Sequence, residues 1–229
     1  MLAYHICRGL YLALMKVDDP SYSSEWKLWL PWSLTTAVAA LAIFSWGQSL
    51  DWQFSTLSIY TLFPVLGLSA FSIMWSHYMV GFLRRTVLHG APLRRFFNWT
   101  GYVVLVLILL HPGLLIYQRF HDGFGLPPGS YESYVAPSMA WITLLGSVSL
   151  FVFLSFELKR WFDKRRWWKY VLYLNDLAML AIFYHGLKLG SQTHLTWFRY
   201  IWWFYGISLI AALIHKYVLQ IQQHSLLRR

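Results

Sequence analysis

Six apolar stretches, each long enough to cross a lipid bilayer, constrain what this chain can fold into. They cover approximately 28–47, 57–82, 97–117, 137–156, 168–188 and 197–219. A membrane-spanning helix needs about 20 apolar residues, and in hydrocarbon its backbone groups must be hydrogen-bonded within the helix itself. The sequence therefore predicts an all-α membrane protein, built as a bundle of six transmembrane helices.

The composition agrees with a membrane location. Of the 229 residues, 58% are hydrophobic and only 12% are charged, whereas a typical soluble domain carries about 25% charged residues. The segment 1–27 is shorter and is interrupted by KVDDPSYSSE, so we expect it to form an interfacial helix on the membrane surface. Residues 28–220 are predicted to form the transmembrane domain, and residues 221–229 a cytoplasmic tail.

The basic residues predict the orientation of the helices. The connections between spans 2 and 3 and between spans 4 and 5 are rich in lysine and arginine, as are both ends of the chain, whereas the opposite side has only Arg119, Lys188 and Arg199. Positively charged loops stay in the cytoplasm. Both termini are therefore expected to be cytoplasmic, in a plasma membrane or a bacterial inner membrane, and the net charge of +10 does not indicate nucleic-acid binding.

Two histidines within the apolar stretches are the main candidates for a site. His111 lies in span 3 and His185 in span 5, and each follows a basic residue, Arg95 or Lys169, at the start of its span. The interval of about 16 residues corresponds to about 24 Å of helix in both cases. Imidazoles at matched depth on parallel helices suit the two axial positions of a haem iron. Alternatively, each histidine bonds to a neighbouring helix.

Two stretches resemble the ferric reductase-like transmembrane family, which includes ferric reductases, NADPH oxidase cores and the membrane subunit of the periplasmic methionine sulfoxide reductase system. They are LRRFFNWTGYVVLVLILLHPGLL at 93–115 and RRWWKYVLYLNDLAMLAIFYHGLKLG at 165–190. Gly101 and His111 match the third-helix pattern of that family, and Trp168 and His185 match the fifth-helix pattern. The resemblance covers about 57–220 and implies haem b, held by His111 and His185, together with electron transfer toward the outer face.

The sequence departs from that family at two positions. Members with two haems have two histidines on each of these helices, about 13 or 14 residues apart. Here Phe97 and Leu172 occupy the other two positions. Because both losses fall at one depth, we expect a single haem, in the outer half of the bilayer. The place of the inner haem is expected to be a polar pocket, or else Asp176 pairs with another helix.

Five further residues are secondary candidates. Asp176 lies in the middle of span 5, where a carboxylate needs a partner, water or a proton; a proton-relay role and a structural pairing with another helix both remain open. His77 and His215 lie near the inner ends of spans 2 and 6, where they are candidates for a quinone site, for a differently arranged inner haem or for inter-helix hydrogen bonds. His121 and His194 lie in loops above the expected haem.

The predicted function is that of a membrane b-type cytochrome, and the pattern does not distinguish an oxidoreductase from an electron-transfer subunit. The chain has one cysteine, Cys7, and no glycine-rich nucleotide fingerprint. A quinol, a flavin or a separate redox protein is therefore expected as electron donor or acceptor. Two alternatives stay open, namely a haem-dependent sensor or assembly subunit without net electron transfer, and a cofactor-free membrane scaffold or transporter.

Overall fold

The computed structural model describes residues 25–157, 164–165 and 167–226. Over these ranges the chain is helical and has no β-strand, which confirms the all-α prediction. The α-helices are α1 (Trp26–Ser49), α2 (Ile59–Thr86), α3 (Arg94–His121), the short α4 (Gly129–Glu132), α5 (Ala140–Glu157), α6 (Trp168–Leu189) and α7 (Thr196–Leu226). The predicted N-terminal interfacial helix falls almost entirely on residues 1–24, outside the described residues.

Five of these helices are long and apolar enough to cross a membrane. They are α1, α2, α3, the segment Pro137–Ser155 that includes most of α5, and α7. The remaining predicted span coincides with α6, which has 22 residues but includes the polar residues Lys169, Asn175, Asp176, His185 and Lys188. Six spans are therefore not confirmed, although the helix expected at 168–188 is present.

The surface of the bundle is consistent with an integral membrane protein. The two most apolar candidate spans, those containing α3 and α5, are also the least buried. Large apolar side chains such as Val106, Phe151 and Ile207 are exposed on the helices. Soluble monomers rarely expose contiguous apolar areas of this extent, so these helix faces are suited to contact lipid.

The core lies between α2 and α7. Helix α2 is the most deeply buried of the candidate spans, and its aromatic side chains pack against those of α7. The ring centroids of Phe71 and Trp202 are 4.4 Å apart, and those of Trp75 and Tyr205 are 4.5 Å apart. This packing fixes α2 in the centre, where its two ends can contribute to sites on either side.

The start of α2 is set by a capping box. The Ser58 side chain accepts a hydrogen bond from the backbone N–H of Thr61, and the Thr61 hydroxyl oxygen accepts one from the backbone N–H of Ser58. Such reciprocal bonds satisfy amide groups that the first helical turn leaves unpaired. The cap thereby fixes the register of Phe63 and Gly67, which lie in the first three turns of α2.

Candidate functional site

His111 is held against α2 by a backbone hydrogen bond. Its Nδ1 atom lies 2.8 Å from the carbonyl oxygen of Phe63. A carbonyl oxygen only accepts, so Nδ1 carries the proton and Nε2 keeps its lone pair. The imidazole lies over Gly67, where a β-carbon would be 2.7 Å from Cε1 of His111. Only glycine leaves enough room for the ring at this position.

His185 is held against α5 in the same way. Its Nδ1 atom lies 2.8 Å from the carbonyl oxygen of Ile142, so its Nε2 also keeps a lone pair. A β-carbon at Gly146 would be 2.8 Å from Cε1 of His185. As at Gly67, the absence of a side chain creates the space in which the imidazole lies.

The two histidines therefore share one local design. In each case the accepting carbonyl belongs to the preceding long helix, and the glycine under the ring comes four residues later, one helical turn further on. Phe63 and Gly67 form one such pair, and Ile142 and Gly146 form the other. Sequence reasoning did not identify these four residues, and the available signal was a glycine within each preceding apolar stretch.

His111 and His185 line the same cavity, which we call the histidine cavity. Its volume is about 480 Å³, and its walls come from α2, α3, α5 and α6 together with the segment Ser191–Thr193 and Trp202 of α7. Pro112, beside His111, also lines it, and α3 continues through this proline to His121. The matched pair is thus brought together, and these are the two residues that could hold the iron of a planar cofactor.

Asp176 lies at the centre of a polar cluster between three helices. Its carboxylate is buried and accepts hydrogen bonds from Tyr78 of α2 at 3.0 Å, and from Lys216 and Tyr217 of α7 at 2.5 Å each. The Lys216 contact is an ion pair. Asp176 is thus paired with another helix, which is one of the expectations from the sequence. The sequence analysis did not identify Tyr78, Lys216 or Tyr217 as partners.

A second cavity adjoins this cluster, and we call it the Asp176 cavity. Its volume is about 670 Å³. Phe97 and Leu172 both line it, so the two positions at which the resemblance expects further histidines do face one space. Polar groups line it as well, as expected for this position. Met74, Ile108 and Phe153 line both cavities, so the two spaces are separated by a thin apolar wall.

His77 also lines the Asp176 cavity. Its Nε2 lies 2.6 Å from the hydroxyl of Thr100, which itself donates to the carbonyl oxygen of Phe96 at 2.7 Å. A hydroxyl has one proton, so Nε2 of His77 is the donor. This inter-helix bond is the structural role that was one of the expectations for His77.

The other secondary histidines lie outside the two cavities. The ring of His215 packs edge-on against Phe82 with centroids 4.9 Å apart, and its Nδ1 has no hydrogen-bond partner. His121 is exposed and stacks on Tyr117, and His194 is exposed next to the segment that lines the histidine cavity. Within the described residues the structure therefore does not bring these three together with His111 and His185.

The described part of the chain has no group of three or more histidine, cysteine, aspartate or glutamate side chains arranged to hold a metal ion. A haem iron takes its four equatorial ligands from the porphyrin, so it needs only two from protein.

No protein-family model, curated protein or solved structure matches the chain. Fold and site together define a helical protein with membrane-length apolar helices and two histidines in one cavity.

Proposed function

We propose that this chain is a membrane b-type cytochrome with a single haem, of the ferric reductase-like kind, in which His111 and His185 are the axial ligands. The observation that carries the proposal is that the two imidazoles have the same hydrogen-bonding arrangement and line the same cavity. Each has its Nδ1 proton committed to a backbone carbonyl oxygen 2.8 Å away, and both line the histidine cavity. Nε2 is thus the nitrogen left to bind iron.

The surrounding residues fit that role. A second hydrogen bond at the non-ligating nitrogen fixes the tautomer and orientation of a metal-binding histidine and raises its basicity. The carbonyls of Phe63 and Ile142 provide these bonds, and Gly67 and Gly146 provide the space for the rings. A haem bound there would supply a one-electron ferric–ferrous couple. The protein would hold and orient it and exclude water from it.

The wider arrangement follows from the same proposal. The chain would cross the membrane six times with both termini in the cytoplasm, which places His111 and His185 in the outer half of the bilayer. A separate donor or acceptor, of the quinol, flavin or protein class, would complete the electron path. In this scheme Asp176 has a structural role through Lys216, and a proton-relay role is a further hypothesis.

One observation favours a second candidate, the cofactor-free membrane scaffold. Hydrogen bonds from His111 and His185 to carbonyls of neighbouring helices are also what a purely structural histidine makes. The scaffold does not, however, explain why both imidazoles line one cavity with their Nδ1 protons bonded in the same way.

The experiment that tests the proposal is a reduced-minus-oxidised absorption spectrum of the purified full chain, combined with a measurement of haem per polypeptide. We expect one low-spin haem per chain, and its loss in His111→Ala and in His185→Ala. His77→Ala is the matched control, because it also removes an imidazole that bonds across helices but lies in the other cavity. A featureless spectrum in folded wild-type protein would assign the chain to the scaffold class.

A further inference from the structure

We propose that the Asp176 cavity binds an anionic phospholipid, with the phosphodiester near Arg85 and an acyl chain along the apolar wall. The inference goes beyond the cytochrome proposal. It requires that the helices lie in a membrane but does not require haem. Four features of the cavity support it: its charge, its unpaired polar groups, the side on which it opens, and its apolar length.

The charge of the lining favours a monoanion. Three of the residues around the cavity carry formal charges, namely Arg85, Lys216 and Asp176. Lys216 and Asp176 neutralise each other across a 2.5 Å ion pair, which leaves the positive charge of Arg85 in excess. A phosphodiester carries one negative charge, so its binding would balance the lining and pair with Arg85, which is exposed in the last turn of α2.

Arg85 and Asn98 are free to make these contacts. Within the described ranges, neither side chain has a hydrogen bond or an ion pair with another protein group, and both line the cavity. Arg85 lies in the last turn of α2 and Asn98 in the second turn of α3, so they belong to one end of this helix pair. Guanidinium and amide N–H groups are suitable donors to phosphate oxygens.

The cavity opens sideways, toward the surroundings of the bundle. Tyr102 of α3 and Leu172 of α6 both line it, and these residues are 65% and 38% exposed. The cavity can therefore be reached from the side, between α3 and α6. A molecule dissolved in the bilayer can enter by this route without crossing the protein.

The depth of the cavity suits an acyl chain. Beyond the polar end, the lining is apolar and includes Leu105, Ile108 and Phe153. Gly101 adds open space, because a β-carbon there would meet nothing within 4 Å. An amphiphile with its headgroup at Arg85 would fill this space with hydrocarbon.

The side of the membrane on which the polar end of the cavity is expected to lie is consistent with an anionic lipid. The polar end of the cavity lies at the arginine-rich ends of α2 and α3, which the charge distribution assigns to the cytoplasmic side. Cytoplasmic leaflets are rich in anionic lipids, and basic pockets between helices on that side bind their headgroups. Phosphatidylglycerol is therefore a suitable probe, with phosphatidylcholine as the zwitterionic comparison.

The test measures lipid retained by the full chain after transfer from nanodiscs of defined composition, by native mass spectrometry. Wild type should retain one phosphatidylglycerol per chain, with a preference of about tenfold over phosphatidylcholine. Arg85→Gln should abolish the preference. Arg84→Gln is the matched control. It removes the same charge from the neighbouring residue, whose side chain does not line the cavity.

A second variant tests the cavity without changing its charge. Gly101→Leu should fold, since leucine favours a helix more than glycine and its β-carbon meets no atom. Its side chain should fill the cavity and release the lipid. The haem spectrum reports separately on the cytochrome proposal, so failure of one proposal does not affect the other.

Four outcomes would overturn the inference. The first two are equal retention of the two lipids by wild type, and an equal effect of Arg84→Gln and Arg85→Gln. The third is complete displacement of the lipid by inorganic phosphate, which would indicate a small-anion site. The fourth is displacement by decylubiquinone that is insensitive to Arg85→Gln, which would assign the cavity to a neutral quinone.

Discussion

The imidazole of His185 lies directly over Gly146, so closely that a β-carbon at position 146 would be 2.8 Å from Cε1 and 2.9 Å from Nδ1 of the ring. Both atoms belong to the side of the ring that is held by the Ile142 carbonyl. The ring cannot move away from an added methyl group without lengthening that hydrogen bond. Gly67 and His111 have the same relationship.

Gly146→Ala and Gly67→Ala should therefore weaken haem binding without removing a ligand. Overpacking of this kind costs roughly 1–3 kcal/mol, so we expect haem affinity to fall by about tenfold or more. Haem titration of the apoprotein measures the effect. Gly113→Ala is the control, because it lies beside the same site on α3 and its β-carbon would meet nothing within 4 Å. Equal affinities in all three variants would contradict the role of the glycines.

Replacing a ligand by glycine should be reversible with added imidazole. His185→Gly removes the side chain but leaves the histidine cavity open, so free imidazole can enter and occupy the vacated position. We expect the low-spin spectrum to be absent in this variant and to return when haem is supplied together with imidazole. The same protocol applied to His77→Gly should show no dependence on imidazole, since that residue is assigned no iron. A spectrum of His185→Gly that matches wild type without imidazole would rule out His185 as a ligand.

The ion pair between Asp176 and Lys216 should contribute to stability as a unit. Removing one partner of a buried pair leaves an uncompensated charge, which costs about 3 kcal/mol or more. Because Lys216 retains some exposure, we expect Lys216→Met to lower the free energy of unfolding by about 2–3 kcal/mol. The double variant Asp176→Asn, Lys216→Met should lose less than the sum of the two single effects. Thermal unfolding in detergent measures all three, and strict additivity would argue against the pairing.

The link between Tyr60 and Asp122 should be sensitive to acid. The Tyr60 hydroxyl donates to Asp122 at 2.5 Å and the Gln118 amide donates at 2.7 Å, and these bonds lower the pKa of Asp122 below its ordinary value. The stabilisation is therefore complete above the ordinary aspartate pKa of about 4, and it is lost as the pH falls through the lower pKa of the folded state. Tyr60→Phe should raise the pKa of Asp122, as measured by carboxyl NMR.

Tyr117→Phe is the matched control for that titration. Tyr117 is an exposed tyrosine on the same helix as Gln118, and its ring stacks on that of His121. Its replacement should leave the pKa of Asp122 unchanged. A similar shift in both variants would mean that the Tyr60 bond does not cause the lowered pKa.

The helices could be predicted from the sequence because an apolar stretch of membrane length has few other stable structures. The helices expected at 57–82, 97–117 and 168–188 are observed as Ile59–Thr86, Arg94–His121 and Trp168–Leu189. The observed helices extend into the polar flanks, since hydrophobicity marks only the part that lipid can accept. The predicted span at 168–188 is not confirmed, because its polar residues reduce the apolar character of α6.

The site was only partly predictable. Matched depth identified His111 and His185, and the structure places both on one cavity. Their partners could not be predicted, because a backbone carbonyl such as that of Ile142 has no sequence signature and a glycine within a helix has many causes. Lys216 was missed for a different reason. Its position near the basic C-terminal end of the chain indicated only the orientation of the helices, whereas its long side chain pairs with Asp176.

The two hydrogen bonds between the imidazoles and backbone carbonyls have a consequence for assembly of the protein. Each bond joins adjacent long helices, α2 with α3 and α5 with α6, so each half of the site is complete within a single helical hairpin. Ring orientation can thus be established during insertion, before distant parts of the chain meet. Under the cytochrome proposal, a porphyrin that binds afterwards would contact two imidazoles already oriented and would link the two hairpins.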